Sequence, residues 1–329
     1  MRQILQLLVV MWFVLAVPVL AQENPCEDAL SAAQDAYDSE DFATAQTEVA
    51  AAVDECTSDF SKYRDALALQ SLIDARVQAR AATSERDTAV PGMVDIGDYS
   101  LFMTCEGEGS PTVVFENGLS APIEVWNDVY PAIAEVTQVC RYDRLGVEWS
   151  DDVPDSEPRT AFTQAEDLHN VLSEAEIPGP YVLVGHSMGG MHLIAYTYLY
   201  PDEIVGVVFV DASHPDQVER LSEVDPNIPQ FDILGTELLD WEQTLIEFEE
   251  AEAGDMGDIP VVVLTALRGQ SEELLPVWIK LQEEHAARST NSQHILLEDS
   301  GHGIPVEEPQ AVIDAIMWVL DEVENSEAE

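Results

Sequence analysis

The sequence predicts two folding units of different class. Residues 22–88 form a small all-α module, and residues 89–329 an α/β domain with a mostly parallel central sheet flanked by helices and a helical cap inserted at about 213–258. Three observations carry this prediction. From Gly92 onward, short β-branched apolar runs alternate with longer amphipathic stretches, the rhythm of parallel strands joined by helices. Residues 22–88 are instead Ala-rich, acidic and nearly free of Gly and Pro, which favours helix throughout. Midway along the chain, Pro180 to Pro201 reads PYVLVGHSMGGMHLIAYTYLYP: an apolar strand, a sharp glycine-rich turn with Ser187 at its apex, then an apolar helix.

Residues 1–21 read as an export signal. Arg2 supplies the early positive charge, Ile4 to Leu20 form an apolar run, and Val19-Leu20-Ala21 offers small residues for cleavage before Gln22. The expected location is periplasmic or extracellular; the alternative is a membrane anchor left uncleaved, since the run is about as long as a short span requires. Helices are then expected over Cys26–Ser39 and Phe42–Cys56, joined by the acidic turn Glu40-Asp41, with a third from about Phe60 to Ala82. The pattern resembles a single tetratricopeptide-like hairpin. If the first two helices run antiparallel, Cys26 lies beside Cys56, and a disulfide there would staple a module of marginal size. Its expected role is a surface for a protein partner or for self-association, against the simpler alternative of a spacer.

After a polar linker over residues 81–91, a hairpin is expected from Val94 to Cys105 around Gly97-Asp98, and a buried strand from Thr112 to Glu116. A helix over Val125–Val136, a strand over Val139–Tyr142 and a helix over Phe162–Ala175 follow. Beyond the serine turn come a strand at Val207–Val210, the acidic, mostly helical excursion from Ser213 to Asp258, and a strand at Val261–Leu264. A helix over Glu273–Ala287, a strand at His294–Leu297 and a closing helix over Val306–Val323 complete the domain. An insertion between two core strands is where a lid over a site would sit.

Charge excludes two kinds of partner. Asp and Glu number 64 against 13 Lys and Arg, a formal net charge of −51, so nucleic acid and anionic membrane surfaces would be repelled. The expected partner is a small molecule. With lysine only at Lys62 and Lys280, the acidic surface suits a salt-rich medium that screens its self-repulsion.

The turn at Ser187 carries the chemistry. A nucleophilic serine needs strained backbone to lift its hydroxyl clear of the sheet, and Gly185 and Gly189 on either side let strand and helix approach without Cβ clashes. At a helix N-terminus, free N–H groups and the dipole favour a developing oxyanion. Further motifs stand in order: Glu116-Asn117-Gly118-Leu119 after one strand, Tyr142-Asp143-Arg144 with Gly146 after the next, and Ser300-Gly301-His302 after the last. Together with the turn, they make the region from Gly92 to Val323 resemble an α/β-hydrolase of the serine esterase and lipase kind.

That resemblance implies a Ser-His-acid triad in chain order Ser187, acid, His302, and no metal or cofactor. His186, His192, His214 and His294 compete with His302 as base but lack its place in the pattern. Many relatives carry the acid after the strand that here is Val261–Leu264, but no aspartate follows it; Glu272 and Glu273 are the candidates there. Asp211, at the carboxyl end of the preceding core strand, is the favoured acid, because a buried aspartate is costly unless paired. The oxyanion donors implied are the backbone N–H groups of Met188 and Leu119. Relatives often have His-Gly where Asn117-Gly118 stands, so Asn117 is expected to organise its loop; Asp143 and Arg144 are expected to brace loops under the site. Cys105 and Cys140 fall on segments that the fold places side by side, which implies a second disulfide. The expected function is an exported hydrolase of esters of small or medium acyl groups, and the rival is a non-catalytic scaffold whose helical module recruits a partner.

Overall fold

The computed structural model describes residues 25–38, 42–55, 92–153, 159–228, 233–235, 237–251 and 253–327. The chain divides into two compact units, Met1–Glu85 and Arg86–Glu329. The first contains α1 (Pro25–Asp38) and α2 (Phe42–Glu55), packed through the small buried side chains of Ala33, Ala36, Ala45 and Val49. Cys26 is buried on α1. Its expected partner Cys56, the expected third helix and residues 1–21 lie outside the described residues. No helix among the described residues is long and apolar enough to cross a membrane.

The second unit is built on an eight-stranded sheet in the order β1-β2-β4-β3-β5-β6-β9-β10. Its strands are β1 (Met93–Asp95), β2 (Ser100–Glu106), β3 (Thr112–Glu116), β4 (Val139–Asp143), β5 (Tyr181–His186), β6 (Ile204–Val210), β9 (Val261–Ala266) and β10 (Ser292–Leu297). β1 pairs antiparallel with β2, and β2 with β4; all other pairings are parallel. Both faces are covered, so the central strands are apolar on each side. Along β5, Val182 and Val184 face one core with Val312, Ile316 and Val319, while Leu183 faces the other with Leu193 and Phe209. Cys105 and Cys140 stand opposite each other across β2 and β4 and are joined by a disulfide. β3 lies between β4 on one side and β5 on the other. The chain reverses its direction of travel across the sheet there, and in open α/β sheets such a switch point is where ligands bind, outside the carboxyl ends of the strands.

Three expected elements differ, two of them because of proline. The helix expected at Val125–Val136 is a 3₁₀ turn, Ile123–Trp126, followed by the short helix α3 (Tyr130–Ala134), with Pro131 in its first turn. Pro131 has no N–H to continue a helix through the preceding residues, but it fits a new N-terminus. The closing helix is likewise divided. After α4 (Ala161–Glu174), α5 (Gly189–Leu199), α6 (Gln217–Ser222), α7 (Trp241–Ala251) and α8 (Leu275–Ala286) come α9 (Ile304–Glu307) and α10 (Pro309–Glu327). Glu308, at φ −136° and ψ 60°, is pushed out of the helical region by the ring of Pro309. The excursion after β6 holds not only helices α6 and α7 but also a two-stranded antiparallel pair, β7 (Ile233–Leu234) with β8 (Leu239–Asp240).

Candidate active site

The turn between β5 and α5 places Ser187 just beyond the carboxyl end of β5. Ser187 has φ +53°, a left-handed conformation that costs a non-glycine residue roughly 1–3 kcal/mol unless neighbours hold it. They do: Ser187 N–H donates to Val210 O at 3.1 Å, and Ser187 O accepts from Ser213 N–H at 2.8 Å and from Gly190 N–H at 3.0 Å. The helix can start so abruptly because Gly189 passes against the end of β3. A Cβ there would lie 2.5 Å from Glu116 O and 2.8 Å from Asn117 O.

His302 lies on the loop between β10 and α9, with Nε2 2.9 Å from Ser187 Oγ and Nδ1 2.7 Å from Asp211 Oδ2. A carboxylate can only accept, so the His302 proton sits on Nδ1 and Nε2 is left to accept the serine hydroxyl. Asp211 follows β6 at φ +43° and is 1% exposed. Its Oδ1 accepts from Ala266 N–H at 3.1 Å and from Trp278 Nε1–H at 2.8 Å, which aims Oδ2 at the imidazole. The alternative acids Glu272 and Glu273 are exposed at the start of the segment leading into α8, and among the described residues neither bonds to His302. On geometry, the acid beside His302 is Asp211.

The His302 loop is tied from three sides. Arg268 N–H donates to Ser300 O at 3.0 Å, Gly301 N–H donates to Glu307 Oε2 at 2.9 Å, and the Arg268 guanidinium pairs with Glu307. His186 Nε2–H donates to His302 O at 2.8 Å, and the two rings lie 4.8 Å apart. Burial, with the neighbouring His302 adding to it, pushes His186 down to about 4, so it stays neutral and keeps that donor on Nε2. The other histidines are engaged elsewhere: His192 Nδ1 against Glu116 Oε1 at 2.8 Å, His294 Nε2 against Thr265 Oγ1 at 2.8 Å, and His214 Nδ1 accepting from Asp216 N–H at 3.1 Å.

Opposite the serine, the loop after β3 presents Leu119. Among the described residues, neither Leu119 N–H nor Met188 N–H has a protein acceptor. Asn117 does organise this loop: its Oδ1 accepts from Trp126 Nε1–H at 2.7 Å and its Nδ2 donates to Tyr142 O at 3.0 Å. Arg144, 3% exposed, donates from Nη1 to Glu116 Oε1 at 2.6 Å and Asn117 O at 2.8 Å. From Nη2 it reaches Gly118 O at 2.5 Å and Glu237 Oε1 at 2.6 Å. Burial alone would lower the Arg144 pKa, but the facing carboxylates of Glu237 and Glu116 outweigh it and hold the guanidinium above its ordinary value. Burial likewise acts to raise Glu116, and Arg144, followed by His192, reverses this and holds it below the usual range. Asp143 braces the next loop, accepting from Ile123 N–H at 2.9 Å, and burial beside Glu124 pushes its carboxyl well up.

Sequence reasoning missed Glu237, Trp278 and Glu307, none of which stands in a motif. For Trp278, an indole on the helix following the strand beside Asp211 was the one available sign. Among the described residues, His214, Asp216 and Glu284 come within metal-binding reach of one another. However, Glu284 is already paired with Arg220 at 2.6 Å, and the Nδ1 lone pair of His214 is used by a backbone N–H.

The family described as alpha/beta hydrolase fold matches residues 111–240. The chain is 33% identical to the probable transporter efuK of Hormonema carpetanum over 141 residues, 41% of this chain and 20% of that protein. It is 25% identical to the uncharacterized protein YqjL of Bacillus subtilis over 217 residues, 64% of this chain and 84% of that one. It thus spans only a fifth of the first relative's length. A solved thermophilic esterase from Thermogutta terrifontis superposes with a TM-score of 0.50 at 21% identity, covering 72% of this chain and 96% of that one. At that identity the likeness concerns the fold.

Proposed function

We propose, from the premise that this chain is an α/β-hydrolase by fold, that it is a serine hydrolase cleaving carboxylic esters of small or medium acyl groups. One observation carries the reading: the unbroken hydrogen-bond chain Asp211–His302–Ser187, ending at a serine on strained backbone beside two unspent amides. Ser187 Oγ attacks the acyl carbonyl as His302 Nε2 takes its proton, and buried Asp211 stabilises the imidazolium that forms. The amides of Met188 and Leu119 hold the oxyanion. Collapse expels the alcohol, protonated by His302, and leaves an acyl-Ser187 ester. Water, deprotonated by His302, then attacks that ester, and on collapse His302 returns the proton to Ser187 Oγ as the acid leaves.

Export belongs to the same reading, supported by the apolar run at Ile4–Leu20 and by a disulfide between Cys105 and Cys140, a bond that persists in oxidising compartments. The test is labelling by a fluorophosphonate probe together with hydrolysis of 4-nitrophenyl butyrate. Wild type labels and turns over, and Ser187→Ala and His302→Ala lose both. A folded wild type that never labels, at low or high salt, ends the hydrolase reading.

A further inference from the structure

Resting on that reading, we propose that Glu237 is a positioning residue: it reaches in from the excursion after β6 and fixes the direction of the Leu119 N–H, so that docking of this segment and completion of the oxyanion site are one event. The argument begins with the peptide plane. Gly118 C=O and Leu119 N–H belong to one trans peptide unit and point in opposite directions. Arg144 Nη2 holds Gly118 O at 2.5 Å, so the Leu119 N–H must face away from Arg144. The following peptide is pinned as well, because Ser120 N–H donates to Glu237 Oε1 at 2.8 Å. That same oxygen accepts from Arg144 Nη2 at 2.6 Å. One carboxylate oxygen thus holds both the guanidinium that sets the plane before Leu119 and the amide that begins after it.

Ser120 needs such support, since its φ is +51°. Glu237 is 0% exposed, and its second oxygen has no partner among the described residues. A carboxylate is buried at this cost only where its bonds are strong, and both of its contacts lie on the machinery around Leu119. The segment that carries it is seated independently. Arg159 N–H donates to Leu238 O at 2.9 Å and Asp240 N–H to Arg159 O at 2.7 Å. Gly235, at φ +65°, lies so close to the loop that a Cβ would stand 2.5 Å from Ser120 Oγ.

The test compares full-length Glu237→Ala and Glu237→Gln with wild type, using 4-nitrophenyl butyrate kinetics per titratable Ser187 and hydrogen exchange at the Ser120 amide. Removing an oxyanion donor outright costs about 10²–10³ in kcat, and misdirecting one costs part of that. Glu237→Ala is expected to lose about tenfold to a hundredfold in kcat with KM within about twofold, and to exchange Ser120 rapidly. Glu237→Gln keeps the one oxygen that makes both contacts and is expected to recover to within about threefold. Wild-type kcat in Glu237→Ala overturns the proposal. So does a Glu237→Gln as impaired as Glu237→Ala, because the charge opposite Arg144, rather than the bond to Ser120, would then be what matters. If Glu237→Ala does not fold, Glu237→Met fills the space without an acceptor and is held to the same outcomes. If wild type turns over no ester, the hydrolase reading fails, and exchange alone decides Glu237: unchanged Ser120 protection in the alanine or methionine variant overturns its role.

Discussion

Two neighbouring strands, β6 and β9, end side by side at the carboxyl edge of the sheet, and each is followed by acidic side chains of very different character. Asp211, after β6, is 1% exposed, with Oδ1 held by Ala266 N–H and the Trp278 indole and Oδ2 on His302. Glu272 and Glu273, after β9, are exposed. What the end of β9 and the segment after it contribute is a brace: Ala266 N–H, at the last residue of the strand, on Asp211, then Arg268 on the His302 loop through Ser300 and Glu307, and Trp278 farther on. A carboxylate orients an imidazole when backbone and indole donors have already fixed its own geometry. A solvated one spreads over many rotamers and is screened.

The comparison breaks most decisively at Asp211. Asp211→Asn is expected to lower kcat about 10³–10⁴-fold, because an amide in that place favours the wrong His302 tautomer; an equal loss in Glu272→Gln would overturn the assignment. The brace comes next. Trp278→Phe leaves Oδ1 with one donor fewer, and a buried acceptor losing a partner costs about 1–3 kcal/mol. A kcat several-fold lower at similar KM is expected, with a lower Tm by calorimetry. Glu307→Gln, which weakens the hold on Gly301 and Arg268 at a half-exposed site, is expected to cost no more than about threefold in kcat, since exposed ion pairs contribute little.

Another expectation concerns the histidine behind His302. Because His186 is held at about 4, below its usual 6.5, the unfolded chain takes up that proton first on acidification. The resulting stability is present above pH 6.5 and is lost as pH falls toward 4. Melts at pH 7 and pH 5 should therefore differ less in His186→Asn than in wild type. The smallest effect is expected from the Glu272→Gln/Glu273→Gln double variant, whose kcat and Tm should match wild type. A clear loss there would mean that solvated carboxylates on this edge also govern the imidazole.

Much of this was legible in the sequence, and the site residues that were not depend on segments far apart in the chain. The alternation of β-branched runs and amphipathic helices marked the core strands, because periodicity and burial act over a few residues. At Pro131 and Pro309 apolar spacing favours a continuous helix, but the missing N–H starts a new one instead. The turn at Ser187 was readable because its glycines, strand and helix are contiguous. The acid was not readable in the same way.

Asp211 and His302 lie 91 residues apart, and Ser187 and His302 lie 115 apart. Local sequence does not specify which carboxylate meets the imidazole; the pairing of β6 with β9 and the seating of Trp278 decide it. Glu237 was less legible still, since it lies in an acidic stretch where one more glutamate carries no signal, and it meets Arg144 93 residues away. By itself, the sequence determined the α/β class, the serine turn and the histidine after the last strand, which rest on short-range sterics and burial. Only the tertiary structure decided which acid faces that histidine and which carboxylate holds the loop beside the serine. Those choices depend on desolvation and on hydrogen bonds between segments that meet only once the sheet has formed.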